Sequence, residues 1–140
     1  MRHQKGVLDT TAFLRMHELT EEDLPLEVAI CTITLAELSV GPLVAQDDEE
    51  RAARLAHVQR ADADYGEPLP FDVEAARAFA QVAADIRKTG RKPKARAFDA
   101  LIAATAKSVQ LPLYTFNARD LSGVTGLEIV ALPPGVTSDD

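Results

Sequence analysis

Residues 95–121 read ARAFDALIAATAKSVQLPLYTFNARDL, and the fold turns on how that stretch divides. From Ala95 to Gln110 alanine, leucine and isoleucine leave no continuous polar face, which predicts a helix apolar nearly all round and buried in the domain. Pro112 to Phe116 is short and apolar and reads as a buried strand, with a short helix after Asn117.

The same alternation extends outward. Gly6-Val7-Leu8-Asp9 reads as a short strand ending in a carboxylate, and Thr10 and Thr11 open a short helix through Leu14. Val28 to Thr32 is a second strand. Thr34 starts a helix to about Ala45, with Gly41-Pro42 as a break or kink. A further helix runs from Asp48 to about Asp62 with Ala52, Leu55 and Val58 on its apolar side. Asp72 caps the next, whose face carries Val73, Ala76, Phe79, Ala80, Ala83 and Ile86 and which stops at Gly90. Leu127 to Leu132 is a fourth strand. Strands separated by helices indicate an α/β domain with a mainly parallel sheet of about four strands flanked by helices. Residues 1–134 are expected to form this one domain, and 135–140 a flexible tail.

A length of 140 residues asks for no second domain. No apolar run reaches the ~18–20 residues that span a bilayer, so no membrane association is expected. The basic N-terminus meets Asp9 too soon to leave room for a signal-peptide core. The lone Cys31 cannot close an internal disulfide, and a cytoplasmic location is expected. The net charge of −7 disfavours a polyanionic partner in general, but the charge is unevenly spread. Between Asp85 and Asp99 there is no acid, while Arg87, Lys88, Arg91, Lys92, Lys94 and Arg96 all fall there. This stripe is either a solvated face or a guide for a phosphate backbone.

Four acids stand where patterning asks for something apolar or small. Asp9 ends the first strand, Glu37 lies in Ile33-Thr34-Leu35-Ala36-Glu37-Leu38, Asp99 sits among Phe98, Ala100 and Leu101, and Asp120 follows the third strand. Ligand sites of open parallel sheets gather at the carboxyl ends of strands, where Asp9 and the Asn117/Asp120 pair fall. Crowded carboxylates are costly to desolvate, and a hard divalent cation with oxygen ligands relieves them. Each acid also has a plain structural role open to it. Asp9 can cap the helix at Thr10, Thr34 to Glu37 fits a capping box, and Asn117 with Asp120 can cap a short helix. Asp99, inside a helix, has no such role. Phosphate-loop, dinucleotide, nucleophile-elbow and zinc spacings are all missing from the sequence.

Val7-Leu8-Asp9-Thr10-Thr11, Thr34-Leu35-Ala36-Glu37-Leu38, Phe98-Asp99-Ala100-Leu101-Ile102-Ala103-Ala104-Thr105-Ala106 and Thr115-Phe116-Asn117-Ala118-Arg119-Asp120-Leu121 occur in this order. Together they resemble a PIN-domain ribonuclease of the VapC toxin type, over almost the whole chain. The resemblance implies a parallel sheet between helices, with Asp9, Glu37 and Asp99 matching the three core metal-binding acids. Where the family carries a fourth acid this sequence has Asn117, so either Asn117 or Asp120 fills that place. Thr115 and Thr11 match small hydroxyl residues beside the site. It further implies Mg²⁺ or Mn²⁺ as cofactor, structured RNA (transfer or ribosomal) as substrate, a homodimer, and inhibition by a small cognate antitoxin. The chemistry expected is phosphodiester hydrolysis leaving a 5′-phosphate and a 3′-hydroxyl. Metal held by Asp9, Asp99 and Asp120 would activate the phosphate, Glu37 would orient or deprotonate the water, and the stripe from Arg87 to Arg96 would hold the RNA backbone. The alternative is a PIN-like module that binds protein or RNA without cleaving, for which Asn117 is the feature in favour. A phosphoacceptor receiver is disfavoured, because Thr10-Thr11 supply no second acid after the first strand.

Overall fold

The computed structural model describes residues 2–90 and 97–134. Four strands, β1 (Lys5–Leu8), β2 (Glu27–Ala29), β3 (Leu113–Thr115) and β4 (Ile129–Ala131), form one sheet in the order β2-β1-β3-β4. Every pairing is parallel, with Gly6 opposite Val28, Val7 opposite Leu113 and Tyr114 opposite Val130. Parallel neighbours need crossovers, and most are helical. The helices are α1 (Thr10–Leu14), α2 (Thr32–Val40), α3 (Asp48–Asp64), α4 (Val73–Lys88) and α5 (Ala97–Ser108). The expected α/β class and parallel sheet are thus the observed ones. The chain leaves β1 for β2 on one side and returns as β3 on the other. β1 and β3 therefore flank the switch point, where a crevice opens at the strand ends.

Alternation along the strands builds two faces. Val7 and Leu113 join a cluster with Val82 and Ile86 of α4 and Ala100, Ala103, Ala104 and Ala106 of α5. Leu8 and Tyr114 belong instead to a cluster with Ala12 and Leu132. A third cluster of Phe13, Ile30, Leu38 and Ala61 ties α1, α2 and α3 together. The α5 alanines carry nothing beyond Cβ, which lets the helix lie close to sheet and α4 with no exposed surface at those positions. Gly6 serves the same closeness on the other side, since a Cβ there would stand 2.5 Å from Cε1 of Tyr114.

Several local expectations are corrected. β2 stops at Ala29, and the chain beyond it pairs elsewhere, with Leu69 donating to the Ile30 carbonyl at 2.9 Å and Thr32 donating to that of Leu69 at 2.8 Å. α2 begins at Thr32 with Cys31 as its N-cap, so Thr34 lies within the first turn and forms no capping box with Glu37. The helix ends at Val40, and Gly41–Val44 tightens into a 3₁₀ turn at Pro42, which cannot donate a helical hydrogen bond. On α3, Val58 and Ala61 pack inward, whereas Ala52 and Leu55 are exposed. The buried line of α4 passes through Ala75, Val82, Asp85 and Ile86, while Val73, Ala76 and Ala80 face out. That setting brings Asp85 to the loop before β4. There it accepts hydrogen bonds from Gln81 Nε2 and from both the backbone N–H and the hydroxyl of Thr125, each at 2.9 Å. These donors compensate the burial of a carboxylate. Gly90, at φ +84°, ends this segment in the left-handed region as expected. The stripe residues Arg91, Lys92, Lys94 and Arg96, and the expected tail 135–140, lie outside the described residues.

Candidate active site

Asp9 is the N-cap of α1 at the end of β1. Its Oδ1 accepts the Ala12 N–H at 2.8 Å and its Oδ2 accepts the Thr115 hydroxyl at 2.6 Å. The capping role is therefore real, but it leaves a second function open, because each carboxylate oxygen has a further lone pair. Asp9 is almost fully buried. Burial, outweighing the two hydrogen bonds, and then the neighbouring Asp99 and Glu37 carboxylates raise its pKa from 3.8 to about 6.

Glu37 arrives from α2, one turn after the buried Thr34, and is partly exposed. Its Oε1 is 2.5 Å from the hydroxyl of Thr10, which also lies 3.0 Å from the Thr34 hydroxyl. Desolvation first, and then the nearby Asp99, raise its pKa, against the opposing pull of Thr10. Asp99 stands in the first turn of α5, half-buried, and it is the neighbour that both Asp9 and Glu37 feel. Three helices and one strand end thus bring Asp9, Glu37 and Asp99 into mutual electrostatic reach at the switch point. Unlike charges held together in a desolvated crevice are self-relieving; like charges are not, and these three are all acids.

The fourth segment is less converged. Thr115 ends β3 and holds two contacts, donating to Asp9 and accepting the Asn117 N–H at 2.9 Å. Asn117 heads the 3₁₀ turn Ala118–Leu121 without a side-chain cap, and Asp120, in that turn, donates its N–H to the Asn117 carbonyl at 3.0 Å. Thr11 is exposed, and the hydroxyl that reaches an acid from this segment is that of Thr10. Thr10 and Thr34 were missed in the sequence. The available signal was that both sit one turn or less from an acid at a helix start. Among the described residues no three acidic, histidine or cysteine side chains stand together closely enough to hold an ion between them. The donor set is nevertheless all oxygen, and burial first, then the neighbouring acids, raise the Asp9 pKa to about 6. Mg²⁺ asks for only one or two carboxylates, with water and phosphate completing its shell, and the residues present fit it.

Two features border the acids. A groove of about 420 Å³ beside Glu37 is lined by Thr10, Leu14, Leu38, Arg54 and His57. Arg54 is held there by a hydrogen bond to the Gly41 carbonyl and an ion pair with Glu50. On the side of Asn117, the Arg15 guanidinium lies 4.1 Å from the centre of the Phe116 ring. Of the basic stripe, Arg87 and Lys88 are described; both are exposed in the last turn of α4. No helix among the described residues is long and apolar enough to cross a membrane.

The sequence model of one family, the PIN domain, matches residues 6–126. The chain belongs to the PIN-domain family. Within it, this PIN domain is 40% identical over 132 residues to ribonuclease VapC5 of Mycobacterium tuberculosis, covering 89% of this chain and 93% of that one. It is 36% identical over 106 residues to ribonuclease VapC8 of the same species, covering 73% and 90%. Among solved structures, the VapBC-5 toxin–antitoxin crystal structure from M. tuberculosis superposes with a TM-score of 0.80 at 39% identity, over 92% of this chain and 99% of that one. DNA-bound VapBC from Salmonella typhimurium gives 0.69 at 28% identity, over 92% and 97%.

Proposed function

We propose that this PIN domain is a Mg²⁺- or Mn²⁺-dependent endoribonuclease toxin that hydrolyses phosphodiester bonds in structured RNA, transfer or ribosomal. A small cognate antitoxin would restrain it in a cytoplasmic homodimer. The observation that carries the reading is the meeting of Asp9, Glu37 and Asp99 from three elements at the sheet's switch point, with Asp9 pushed to about 6. The names of the VapC relatives support the activity, and the toxin–antitoxin complexes among the structural neighbours support the partner.

Asp9, Asp99 and Glu37 would hold the divalent cation, with Asp120 or Asn117 entering from the 3₁₀ turn. When bound, the ion supplies Lewis-acid polarisation of the phosphate and a lowered pKa for a coordinated water. Thr115 keeps Asp9 oriented through Oδ2. Glu37, less buried than Asp9 and with its own proton affinity raised by desolvation, orients the attacking water or accepts its proton. Water attack leaves a 5′-phosphate and a 3′-hydroxyl and spares the 2′-hydroxyl. Arg87 and Lys88 hold the RNA backbone on the approach to Asp99.

Incubating purified protein with total RNA in Mg²⁺, Mn²⁺ or EDTA, beside Asp99→Asn, tests this. Discrete 5′-phosphorylated fragments, lost in EDTA and in the variant, are expected. Cleavage surviving both would refute the site, and no cleavage by folded, antitoxin-free protein would favour a PIN module that only binds.

A further inference from the structure

A pair of hydroxyls joins the two helices that present the acids. Thr10 heads α1 directly after Asp9, and Thr34 lies in the first turn of α2, three residues before Glu37. Thr10 Oγ1 is 3.0 Å from Thr34 Oγ1 and 2.5 Å from Glu37 Oε1. A threonine hydroxyl has one proton, and an ionised carboxylate can only accept. With Glu37 ionised, Thr10 therefore donates to Glu37 and takes its own hydrogen bond from Thr34. Thr34 is fully buried, which fixes the far end of this chain. β-Branching stiffens both threonines at χ1.

Glu37 has no such stiffness of its own. A glutamate on a helix loses rotamer freedom when it is held in one arrangement. Among the described residues the Thr10 hydroxyl is the one hydrogen-bonding partner of the Glu37 carboxylate. Oε1 is thereby engaged and Oε2 is left to accept from water or to bind an ion. Asp9 shows the parallel arrangement, with the Thr115 hydroxyl on one oxygen and the Ala12 N–H on the other.

We propose that Thr10, backed by Thr34, is a positioning residue that sets the Glu37 carboxylate for the divalent cation while touching neither ion nor RNA. The inference rests on the metal-dependent reading given above and names a residue on which that site depends. It predicts that losing the hydroxyl weakens cation binding and turnover, whereas losing only the methyl does not.

The test is calorimetric titration of metal-free full-length protein with Mn²⁺, comparing wild type, Thr10→Ser, Thr10→Val, Thr10→Ala and Glu37→Gln, with thermal midpoints measured in parallel. The expected result is a 3- to 10-fold weaker Mn²⁺ affinity for Thr10→Val and Thr10→Ala. Thr10→Ser should stay within twofold of wild type, and the affinities should not follow the thermal midpoints. On an RNA substrate, kcat should fall for Thr10→Ala with KM little changed. Should Thr10→Val not fold, Thr10→Ala carries the comparison. Wild-type affinity in folded Thr10→Ala, alongside a weakened Glu37→Gln, would overturn the positioning role alone. Equal weakening in Thr10→Ser and Thr10→Ala would also overturn it, by assigning the effect to packing of the methyl. Failure of the wild type itself to bind Mn²⁺ would remove the metal-dependent reading, and this inference with it.

Discussion

At the scale of single residues, the site is built from side chains that are individually uncomfortable. Asp9 is the clearest case, since its pKa rises from 3.8 to about 6 mainly through burial. A raised native pKa means that the folded chain binds this proton more tightly than the unfolded one. The resulting stability is complete below about pH 4 and is lost as pH rises through about 6. Metal-free Asp9→Asn should therefore melt higher than wild type at pH 8, by up to about 3 kcal/mol for a shift of this size, with the gap closing towards pH 4. The same variant should lose RNA cleavage by at least tenfold, so that stability and activity move in opposite directions. Scanning calorimetry across pH and a cleavage assay check the two halves, and a variant that melts lower at pH 8 would contradict the electrostatic account. Asp85 has the opposite sign. Hydrogen bonds from Thr125 and Gln81 lower its pKa to about 2, so its contribution is present above about pH 4 and disappears as pH falls towards 2. Asp85→Asn should accordingly lower the thermal midpoint at pH 7 and converge on wild type near pH 2. This residue was invisible in the sequence, where helical spacing placed the buried face of α4 on Val73, Ala76, Phe79, Ala80, Ala83 and Ile86, of which Ile86 is buried and Val73, Ala76 and Ala80 are exposed. Periodicity weighs apolar side chains and has no means of anticipating that a carboxylate goes inward to meet donors from a loop 40 residues away.

Elements were easier to read than their edges. The alanine-rich α5 and the strands β1 and β3 were legible because burial on all sides leaves an uninterrupted apolar run, whatever the surroundings. The start of α2 was not. Thr34-Leu35-Ala36-Glu37 has the form of a capping box, but Cys31 caps the helix and frees Glu37 for the site. A tertiary contact decided it: Leu69 takes up the chain after β2, and the helix begins as soon as that pairing ends. Likewise the motif drew attention to Thr11, whereas helical phase at the start of α1 turns Thr10 towards α2. α5 supports a prediction at this scale. Ala103 is fully buried in the cluster that α5 forms with the sheet and α4. Ala103→Leu should destabilise the fold by about 1–3 kcal/mol through overpacking. Because α5 also carries Asp99, it should reduce cleavage more than its loss of folded protein explains. Urea unfolding with cleavage normalised to folded fraction checks this, and activity tracking folded fraction alone would show that α5 can shift without disturbing Asp99.

For the molecule as a whole, the proposed activity requires a chain of net charge −7 to attract a polyanion. Acids at the site repel phosphate until a cation is present, so cation and RNA should bind with positive coupling rather than independently. The remaining attraction must come from a local field, and exposed Arg87 and Lys88 at the C-terminal end of α4 are its described members. Cations there are also favoured by the helix dipole, so removing them should cost a little stability as well. Each phosphate contact they make releases counterions and adds about 0.7–0.9 to the slope of log affinity against log salt. In the inactive Asp99→Asn background, Arg87→Ala with Lys88→Ala should weaken RNA binding at low salt and flatten that slope by about 1.5. In the active background KM should rise, with kcat changed far less, because the two cations act before the chemical step. Filter binding over a salt series measures the first effect and steady-state cleavage the second. An unchanged slope would mean that the end of α4 is merely a solvated face, and that RNA is held from another side, such as that of Arg15 over the Phe116 ring.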